Sequence, residues 1–440
     1  MKIIEGFERA RAALSREISA GSFTVSPTLR QSLKKLFGTN EPEQAVRQIV
    51  EEVERRGDAA LLELTLKIDG VKLSSLKVDK SDIARAYGMI DDELVSALKL
   101  AAERIYAFHK AQKDNIWHEV SEKGLGQIIR PLRRVGIYVP GGTAAYPSTV
   151  LMTAIPAKVA GVSEVVMVTP PQKSGSIAPV TLVAADIARV DRIFSVGGAQ
   201  AIAALAYGTK SIPAVDKICG PGNIFVTLAK KQVFGVVGID GLYGPSEVLI
   251  IADEKANPAY CAADLLAQAE HDPLASAILI TTSRRLADEI NREVAQQLKE
   301  LSRQSIAGES LERGVIAVVD NLDEAIELAN LYAPEHLCLM IEDATSYIGR
   351  ITNAGCILAG REATVVLGDY VAGPSHALPT GGTARFSSPL NICDFIKFMN
   401  VINTDELDIK QLGKIASIMA RAEGLDAHAR AVEKRLKDLE

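Results

Sequence analysis

From about residue 131 onward, short apolar runs alternate with longer segments of helical character. The first runs are RVGIYVP, VSEVVMVTPP, RIFSVGG and VDKICGPG, with helix-like stretches such as STVLMTAIPAKVAG between them. After Ser246 the pattern begins again with EVLIIAD, SAILITT and GVIAVVD. Because strand, helix and parallel strand form the βαβ unit, this alternation predicts an α/β protein with two successive parallel-sheet blocks.

The same pattern divides the 440 residues into four regions. Residues 1–130 space their apolar positions three and four apart, which predicts a mainly helical region. The two α/β blocks occupy 131–245 and 246–385. Residues 386–440 follow the last of these blocks and are predicted to be helical to the end.

Charge and composition argue against several classes of protein. The net charge is −6 and no long Lys/Arg run is present, so a nucleic-acid partner is not expected. The longest uncharged stretch, residues 135–157, is interrupted by proline and glycine, which favours a strand, a turn and a helix over a membrane span. The N-terminus mixes acidic and basic residues without an apolar core, unlike a secretory signal.

The cysteines indicate a reducing compartment. They are odd in number, lie far apart and form no C-x-x-C pair, which fits neither a disulfide framework nor a zinc ribbon. We therefore expect buried thiols in a cytoplasmic protein. The five are Cys219, Cys261, Cys338, Cys356 and Cys393.

Residues with metal-ligand chemistry concentrate in the second half of the chain. Gln268 and His271 are three apart on a helix that is predicted to begin at Asn257-Pro258, so they share a face. This pair could supply two metal ligands or could lie on a solvated helix face. Asp369 precedes a Gly/Pro-rich loop and is a candidate oxygen ligand.

Glu335-His336, after Pro334, combines a carboxylate with an imidazole, which suits proton transfer near neutral pH. As neighbours at the entrance of a strand, the two side chains would point apart unless a turn gathers them. A surface loop is the alternative. His376 could bind metal, orient a ligand or bond within its own loop.

Glu423 and His428 lie near the C-terminus, in RAEGLDAHARAVEKRL, where a solvated helix is the alternative. Taken together, the candidates offer two imidazoles, a carboxylate and an amide oxygen. Nitrogen and oxygen ligands of this kind suit Zn²⁺.

Three glycine turns follow apolar runs and precede helices, where backbone N–H groups favour a phosphate. None completes the G-x-G-x-x-G fingerprint, because Phe225 stands at its third glycine position in the last turn. A nucleotide site and plain tight turns both remain open. The turns are Pro140-Gly141-Gly142, Gly197-Gly198-Ala199-Gln200 and Gly220-Pro221-Gly222-Asn223.

The chain resembles the histidinol dehydrogenase family over roughly residues 130–430. The resemblance rests on long motifs in the family's order: RVGIYVPGG, GGAQAIAALAYGT, VDKICGPGN, GPSEVLIIAD, LLAQAEHD, LYAPEHL, GDY, GPSHALPTGG and EGLDAH. It implies two incomplete Rossmann-like domains, 131–245 on the NAD side and 246–385 with the zinc and catalytic residues. It also implies a homodimer, in which the arm 386–440 reaches the partner's active site.

The resemblance implies a zinc- and NAD-dependent oxidation of L-histidinol, through L-histidinal, to L-histidine with two NAD⁺ reduced. Zinc would be held by Gln268, His271, Asp369 and His428, and Glu335 and His336 would form the acid–base pair. Substrate contacts would come from the four zinc ligands and from His336, Ser246, His376 and Glu423. NAD contacts would fall on Tyr138, Gln200 and Asn223.

Three other functions compete with this interpretation. A family member that oxidises another alcohol, such as a sulfonated diol, should differ at His376 and Glu423, yet both residues are present. A zinc hydrolase could use Glu335 to activate water, although no H-E-x-x-H motif supports it. A non-catalytic nucleotide-binding module would not need the base and metal candidates.

Overall fold

The computed structural model describes residues 1–16, 27–116, 120–122, 124–141 and 144–439. Gly142 of the first glycine turn therefore lies outside the described residues. So do parts of the predicted helical region, at 17–26, 117–119 and 123.

The strands of the described chain are β1 Lys2–Glu5, β2 Val120–Glu122, β3 Leu125–Pro131, β4 Arg134–Tyr138, β5 Glu164–Thr169, β6 Arg192–Ser195, β7 Lys217–Cys219, β8 Gly238–Ile239, β9 Glu247–Ala252, β10 Ser276–Thr281, β11 Val315–Val318, β12 His336–Met340, β13 Cys356–Ala359 and β14 Ile396–Ile402.

The α-helices are α1 Phe7–Leu14, α2 Pro27–Phe37, α3 Pro42–Arg56, α4 Asp58–Asp69, α5 Lys80–Tyr87, α6 Asp92–Ile116, α7 Pro147–Ala160, α8 Pro179–Ile187, α9 Gly198–Tyr207, α10 Ile224–Val233, α11 Pro258–Ala269, α12 Arg284–Gln297, α13 Gln304–Glu312, α14 Leu322–Tyr332, α15 Ala344–Tyr347, α16 Val365–Tyr370, α17 Glu406–Ala422 and α18 Asp426–Asp438.

The chain divides into two compact units. One covers the described residues of Met1–Lys113 and Leu132–Phe395, and the other those of Asp114–Pro131 and Ile396–Glu440. The first unit contains the two predicted parallel sheets. The first sheet has the strand order β6-β5-β4-β7-β8, and the second has β1-β11-β10-β9-β12-β13. The predicted α/β class is therefore confirmed.

Burial on both faces explains why the strands are continuous apolar runs. Every residue of β9 is buried. Val248 and Ile250 belong to the core on one face of the second sheet, whereas Leu249 and Ile251 belong to the core on the other. Helices that cover both faces of a parallel sheet remove the polar–apolar alternation of half-exposed strands.

Two strands of the second sheet carry features that the alternating pattern did not predict. β1, at the very start of the chain, pairs in parallel with β11. β12 pairs with β9, and its first residue, His336, lies opposite Val248. In a βαβ unit the helix runs back along the sheet, so the segments after α11 and α16 return to the edge where β9 and β12 begin.

The second unit combines the antiparallel sheet β14-β3-β2 with the helices α17 and α18. The prediction that the chain is helical from about 386 was wrong for β14, where Phe398 pairs with Ile129 of β3. β14 obtains its strand partner from β3, far away in sequence, whereas β3 also pairs with the neighbouring β2. Across all described residues, every helix is too short or too polar to span a bilayer.

Candidate active site

The acid–base candidates lie at the amino edge of the second sheet. Helix α14 ends with Ala333 in the left-handed conformation, at φ +51°. Pro334 follows and prevents the helix from continuing. The chain then enters β12 at His336, with Glu335 just before it, and both side chains are buried.

The backbone of Glu247, the first residue of β9, brings the side chains of Glu335 and His336 together. Its N–H donates to Oε2 of Glu335 at 2.8 Å. Its carbonyl oxygen lies 3.3 Å from Nδ1 of His336. As a result, Glu335 Oε2 and His336 Nδ1 are 3.7 Å apart. The two side chains are therefore brought together by the start of a neighbouring strand and not by a turn of their own segment. Because both are buried, the surface-loop alternative was wrong.

Burial and neighbouring charges move both pKa values toward neutrality or above. Burial raises the pKa of Glu335 to about 8, although His336 opposes this shift. Burial disfavours the charged form of His336, but Asp369 and Glu335 outweigh it and raise its pKa to about 9. A carboxyl and an imidazole tuned in this way can exchange protons within one buried pair.

Asp369 brings a second carboxylate to the same edge. Its Oδ1 lies 3.3 Å from Nε2 of His336. Burial acts to raise the pKa of Asp369, yet His336, His376 and His271 outweigh it and lower the value. Nδ1 of His376 lies 2.8 Å from the carbonyl oxygen of Asp369, and its Nε2 lies 3.3 Å from Oγ1 of Thr149. Burial lowers the pKa of His376.

Gln268 and His271 lie at the end of α11 that returns to this edge. Asn257 caps the helix and Pro258 begins it, as predicted. However, the helix ends at Ala269, so the exposed His271 lies in the following turn. The solvated-face alternative was wrong for Gln268, which is only 1 % exposed. Its Oε1 is buried and has no hydrogen-bond partner among the described residues.

These donors fit a divalent metal, although the structure contains none. An orphaned buried amide oxygen costs free energy unless a ligand satisfies it. Gln268 supplies such an oxygen, and Asp369 supplies an ionised carboxylate nearby. Among the residues that the structure describes, no three His, Cys, Asp or Glu side chains form a metal site by themselves. The predicted ligand set differs because it includes an amide and a residue of the second unit.

The remaining substrate and ligand candidates are divided between the two units. Ser246 is half-buried just before β9, and its carbonyl oxygen accepts a hydrogen bond from Ser276. Glu423 and His428 belong to the second unit, where Glu423 ends α17 and His428 lies in the first turn of α18. Both are exposed.

The candidate NAD contacts lie at the carboxyl edge of the first sheet. Tyr138 ends β4, and its hydroxyl accepts a hydrogen bond from the N–H of Gly198 at 3.1 Å. Burial raises the pKa of Tyr138 to about 12, so the phenol keeps its proton. Gln200 is buried, and within the described chain neither of its amide atoms has a partner. Asn223 uses its Oδ1 to cap α10.

A buried ion pair holds the last of the glycine turns. The N–H of Gly220 donates to Asp240 at 2.7 Å, and its carbonyl oxygen accepts from Lys230 at 3.0 Å. Lys230 and Asp240 are themselves paired and almost fully buried. Gly220 has φ +113°, and a Cβ there would lie 2.2 Å from the carbonyl oxygen of Tyr138. Glycine is therefore required at this turn.

Sequence reasoning missed several charged residues that organise these edges. Glu247 stands beside the predicted Ser246, and a charge at the start of an apolar strand could have drawn attention to it. Arg16, Lys230 and Asp240 carry no such signal, because their partners are set by tertiary contacts. Each of the four is ion-paired in the structure.

Comparison with known proteins gives a consistent result. Residues 34–436 match the family model described as histidinol dehydrogenase. The chain is 58 % identical over 438 residues to a histidinol dehydrogenase of Dehalococcoides mccartyi strain CBDB1, covering 99 % of this chain and all of the relative. It is 51 % identical to that of Halalkalibacterium halodurans, over 91 % of this chain and 95 % of the relative. The crystal structure of histidinol dehydrogenase from Elizabethkingia anophelis superposes with a TM-score of 0.90, at 37 % identity and over 100 % of this chain and 98 % of that one.

Proposed function

The chain belongs to the histidinol dehydrogenase family of NAD-dependent oxidoreductases, and from that premise we propose that it carries out a zinc-dependent, four-electron oxidation of L-histidinol to L-histidine. The reaction passes through L-histidinal and reduces two NAD⁺, as the last steps of histidine biosynthesis. The observation that carries this proposal is the buried Glu335–His336 pair, gathered by Glu247 and facing Asp369.

The metal and the dinucleotide supply chemistry that protein side chains lack. Bound Zn²⁺ would fix the amino and imidazole groups of the substrate, and NAD⁺ would accept the hydride in each oxidation. Gln268, His271, Asp369 and His428 would hold the metal. Tyr138, Gln200 and Asn223 would contact NAD at the carboxyl edge of the first sheet.

His336 is the proposed base for the alcohol. Its Nδ1 faces the carbonyl oxygen of Glu247, which only an N–H can satisfy, so the Nδ1–H tautomer is favoured. Nε2 lies 3.3 Å from Oδ1 of Asp369, the carboxylate assigned to the metal, and is the nitrogen proposed to take the hydroxyl proton as the carbinol carbon loses its hydride. Ser246, His376 and Glu423 would orient the substrate, and correct orientation supplies much of the rate.

Glu335 is assigned to the second oxidation. Its carboxylate would take a proton from water, the hydroxide adds to the aldehyde carbon, and the carbonyl oxygen takes from His336 the proton that the alcohol left there, which completes the hydrate. His336 then accepts the hydrate's proton as the second hydride leaves. Two oxidations in one site therefore use two bases with adjacent, buried positions.

The proposal extends to organisation and location. The four regions 1–130, 131–245, 246–385 and 386–440 would serve as helical region, NAD domain, zinc and catalytic domain, and C-terminal arm. In a cytoplasmic homodimer the arm would bring Glu423 and His428 to an active site, in cis or in trans. The substrate is the small molecule L-histidinol, with neither nucleic acid nor membrane as a partner.

The test is the yield of NADH per histidinol consumed by the zinc-loaded protein, with Glu335→Gln beside the wild type. We expect a yield of two for the wild type. Glu335→Gln should spare the alcohol step much more than the aldehyde step, because glutamine cannot accept the proton from water. Histidinal supplied directly would isolate the second step.

Two results would count against the proposal. A wild-type yield of one would mean that the reaction stops at the aldehyde. Equal loss of both steps in Glu335→Gln would contradict the division of labour between the two bases.

A further inference from the structure

We propose that Glu247 and Arg16 are positioning residues, which hold the Glu335–His336 pair in the geometry that proton transfer needs. The inference rests on the proposed function of that pair. Neither Glu247 nor Arg16 is among the residues to which the family resemblance gives a role. The two lie far apart in sequence and meet directly behind the catalytic side chains.

Glu247 contacts both members of the pair through its backbone. Its N–H binds the Glu335 carboxylate, and its carbonyl oxygen faces Nδ1 of His336. A third contact runs from the N–H of Glu335 to Oε2 of Glu247, at 3.4 Å. The position of one residue at the start of β9 therefore sets both the separation of the pair and the ring orientation of His336.

The side chain of Glu247 is itself fixed on several sides. Arg16 binds it through two parallel hydrogen bonds, of 2.6 Å to Oε1 and 2.8 Å to Oε2. The N–H of Gly381 donates to Oε1 at 3.0 Å. Glu247 is only 5 % exposed. A two-pronged guanidinium–carboxylate pair defines direction as well as distance, which a single lysine contact does not.

Arg16 also contacts helix α14, which precedes the Glu335–His336 pair in the chain. Its guanidinium carbon lies 3.6 Å from the ring centroid of Tyr332, the last residue of α14. Three residues later the chain reaches Glu335. Arg16 thus contacts the end of α14, and through Glu247 it reaches the start of β9 and the loop at Gly381. These three segments meet at the catalytic pair.

An ion pair with only a structural role would affect the stability of the fold and nothing else. The Arg16–Glu247 pair also sets the geometry of the Glu335–His336 pair, and so affects the rate of the reaction. Replacing the forked guanidinium by an ammonium keeps the charge but loses one of the two bonds. Glu247 can then rotate, and its backbone N–H and C=O shift with respect to Glu335 and His336. Displacements well below 1 Å in a reacting pair lower the rate of the chemical step.

The experiment measures kcat and both KM values for the zinc-loaded full-length protein, for Arg16→Lys and Glu247→Gln. Arg11→Lys is the matched control, because Arg11 is an exposed arginine on the preceding helix α1. We expect kcat to fall roughly 10- to 100-fold per folded molecule in both variants. The KM values for histidinol and NAD⁺ should stay near those of the wild type, and Arg11→Lys should leave all three constants unchanged.

Wild-type kcat in folded Arg16→Lys and Glu247→Gln would overturn the inference. So would a loss of activity that only follows the folded fraction, as measured by circular dichroism and thermal unfolding. If one variant does not fold, the other decides, since glutamine is isosteric with glutamate and lysine keeps the charge. An inactive wild type would instead contradict the proposed function itself.

Discussion

The two parallel sheets share a topology but present their candidate functional residues at opposite edges. In the first sheet, the candidates follow the carboxyl ends of β4, β6 and β7. In the second sheet, they lie where β9 and β12 begin. Ligands of open α/β sheets normally bind beyond the carboxyl ends of the strands, where the strand order reverses. The candidates of the first sheet follow this rule, and those of the second sheet lie at the other end of the strands.

Contacts between the sheets explain the difference. His376, which bonds to Asp369 of the second sheet's edge, also contacts Thr149 in the first turn of α7. Ser375 donates to the carbonyl oxygen of Met152 on the same helix. The helix α7 begins beyond the carboxyl end of β4. The loop 371–382 therefore connects the carboxyl edge of one sheet to the amino edge of the other.

The carboxyl edge of the second sheet carries none of the candidate site residues. It forms a crevice between the ends of β9, β10 and β12, lined by residues that include Asp253, Lys255, Glu342 and Tyr347. Lys255 is already ion-paired to Glu342. Topology alone therefore does not determine which edge of a sheet becomes a site. In this protein the candidate residues of the second sheet lie at the edge that faces the first sheet.

The largest expected effect is at the amino edge of the second sheet. His336→Ala should lower kcat by about 10²- to 10⁴-fold, because the proposed base of both oxidations is lost. The KM for NAD⁺ should change little, since the dinucleotide turns lie on the other sheet. Steady-state kinetics with each substrate varied in turn separate the two effects. A rise in the KM for NAD⁺ with kcat unchanged would break the comparison between the edges.

The next effect is at the carboxyl edge of the first sheet. Lys230→Met leaves Asp240 as an uncompensated buried carboxylate, and breaking a buried pair in this way costs about 3–5 kcal/mol of unfolding free energy. Denaturant unfolding measures this loss, with the exposed Lys231→Met as the control. Lys230→Met/Asp240→Asn should recover part of it. If Lys230→Met and Lys231→Met were equally stable, the Lys230–Asp240 pair would not stabilise the turn at Gly220.

A smaller effect tests whether the metal binds at the amino edge of the second sheet. Gln268→Leu replaces the side-chain amide, whose oxygen has no hydrogen-bond partner among the described residues, with an apolar side chain of similar size. We expect zinc affinity to fall by roughly 10- to 100-fold. Competition with a chelator, read by elemental analysis, gives the number. Gln297 on α12 donates to the carbonyl oxygen of Ala259 and to the carboxylate of Glu293, neither of which is a candidate metal ligand, so Gln297→Leu should retain zinc as the wild type does.

The smallest effect concerns Gln200 at the first sheet. Gln200→Leu removes a buried amide that has no partner in the described chain, so it should not destabilise the fold. The KM for NAD⁺ should rise about 10-fold, the loss expected for one hydrogen bond of about 1.4 kcal/mol. Unchanged KM for NAD⁺ would indicate that this amide lies outside the dinucleotide site.

The sequence predicts the sheets better than the site. Apolar runs such as EVLIIAD are continuous because both faces of the sheet are covered, and that pattern is visible without a structure. β14 was missed because its partner, β3, is far away in the chain. The ligand candidates Asp369, in the last turn of α16, and Gln268 and His271 could be singled out locally, although His271 lies beyond the end of its helix.

The organisation of the candidate acid–base pair could not be predicted from the sequence. Glu335 and His336 are adjacent, and adjacent residues at the start of a strand point apart by local geometry. Their approach depends on Glu247 of another strand, and Glu247 depends on Arg16 near the N-terminus. Such contacts follow from tertiary packing, and neither spacing nor residue type reveals them.

The central claim is that the second sheet binds its ligands at its amino edge. Anomalous diffraction at the zinc edge, from crystals grown with Zn²⁺ and histidinol, tests this most directly. We predict a peak at about 2.0–2.2 Å from Oε1 of Gln268 and from a carboxylate oxygen of Asp369. A peak in the crevice at Asp253 and Glu342, with none near Gln268, would contradict it.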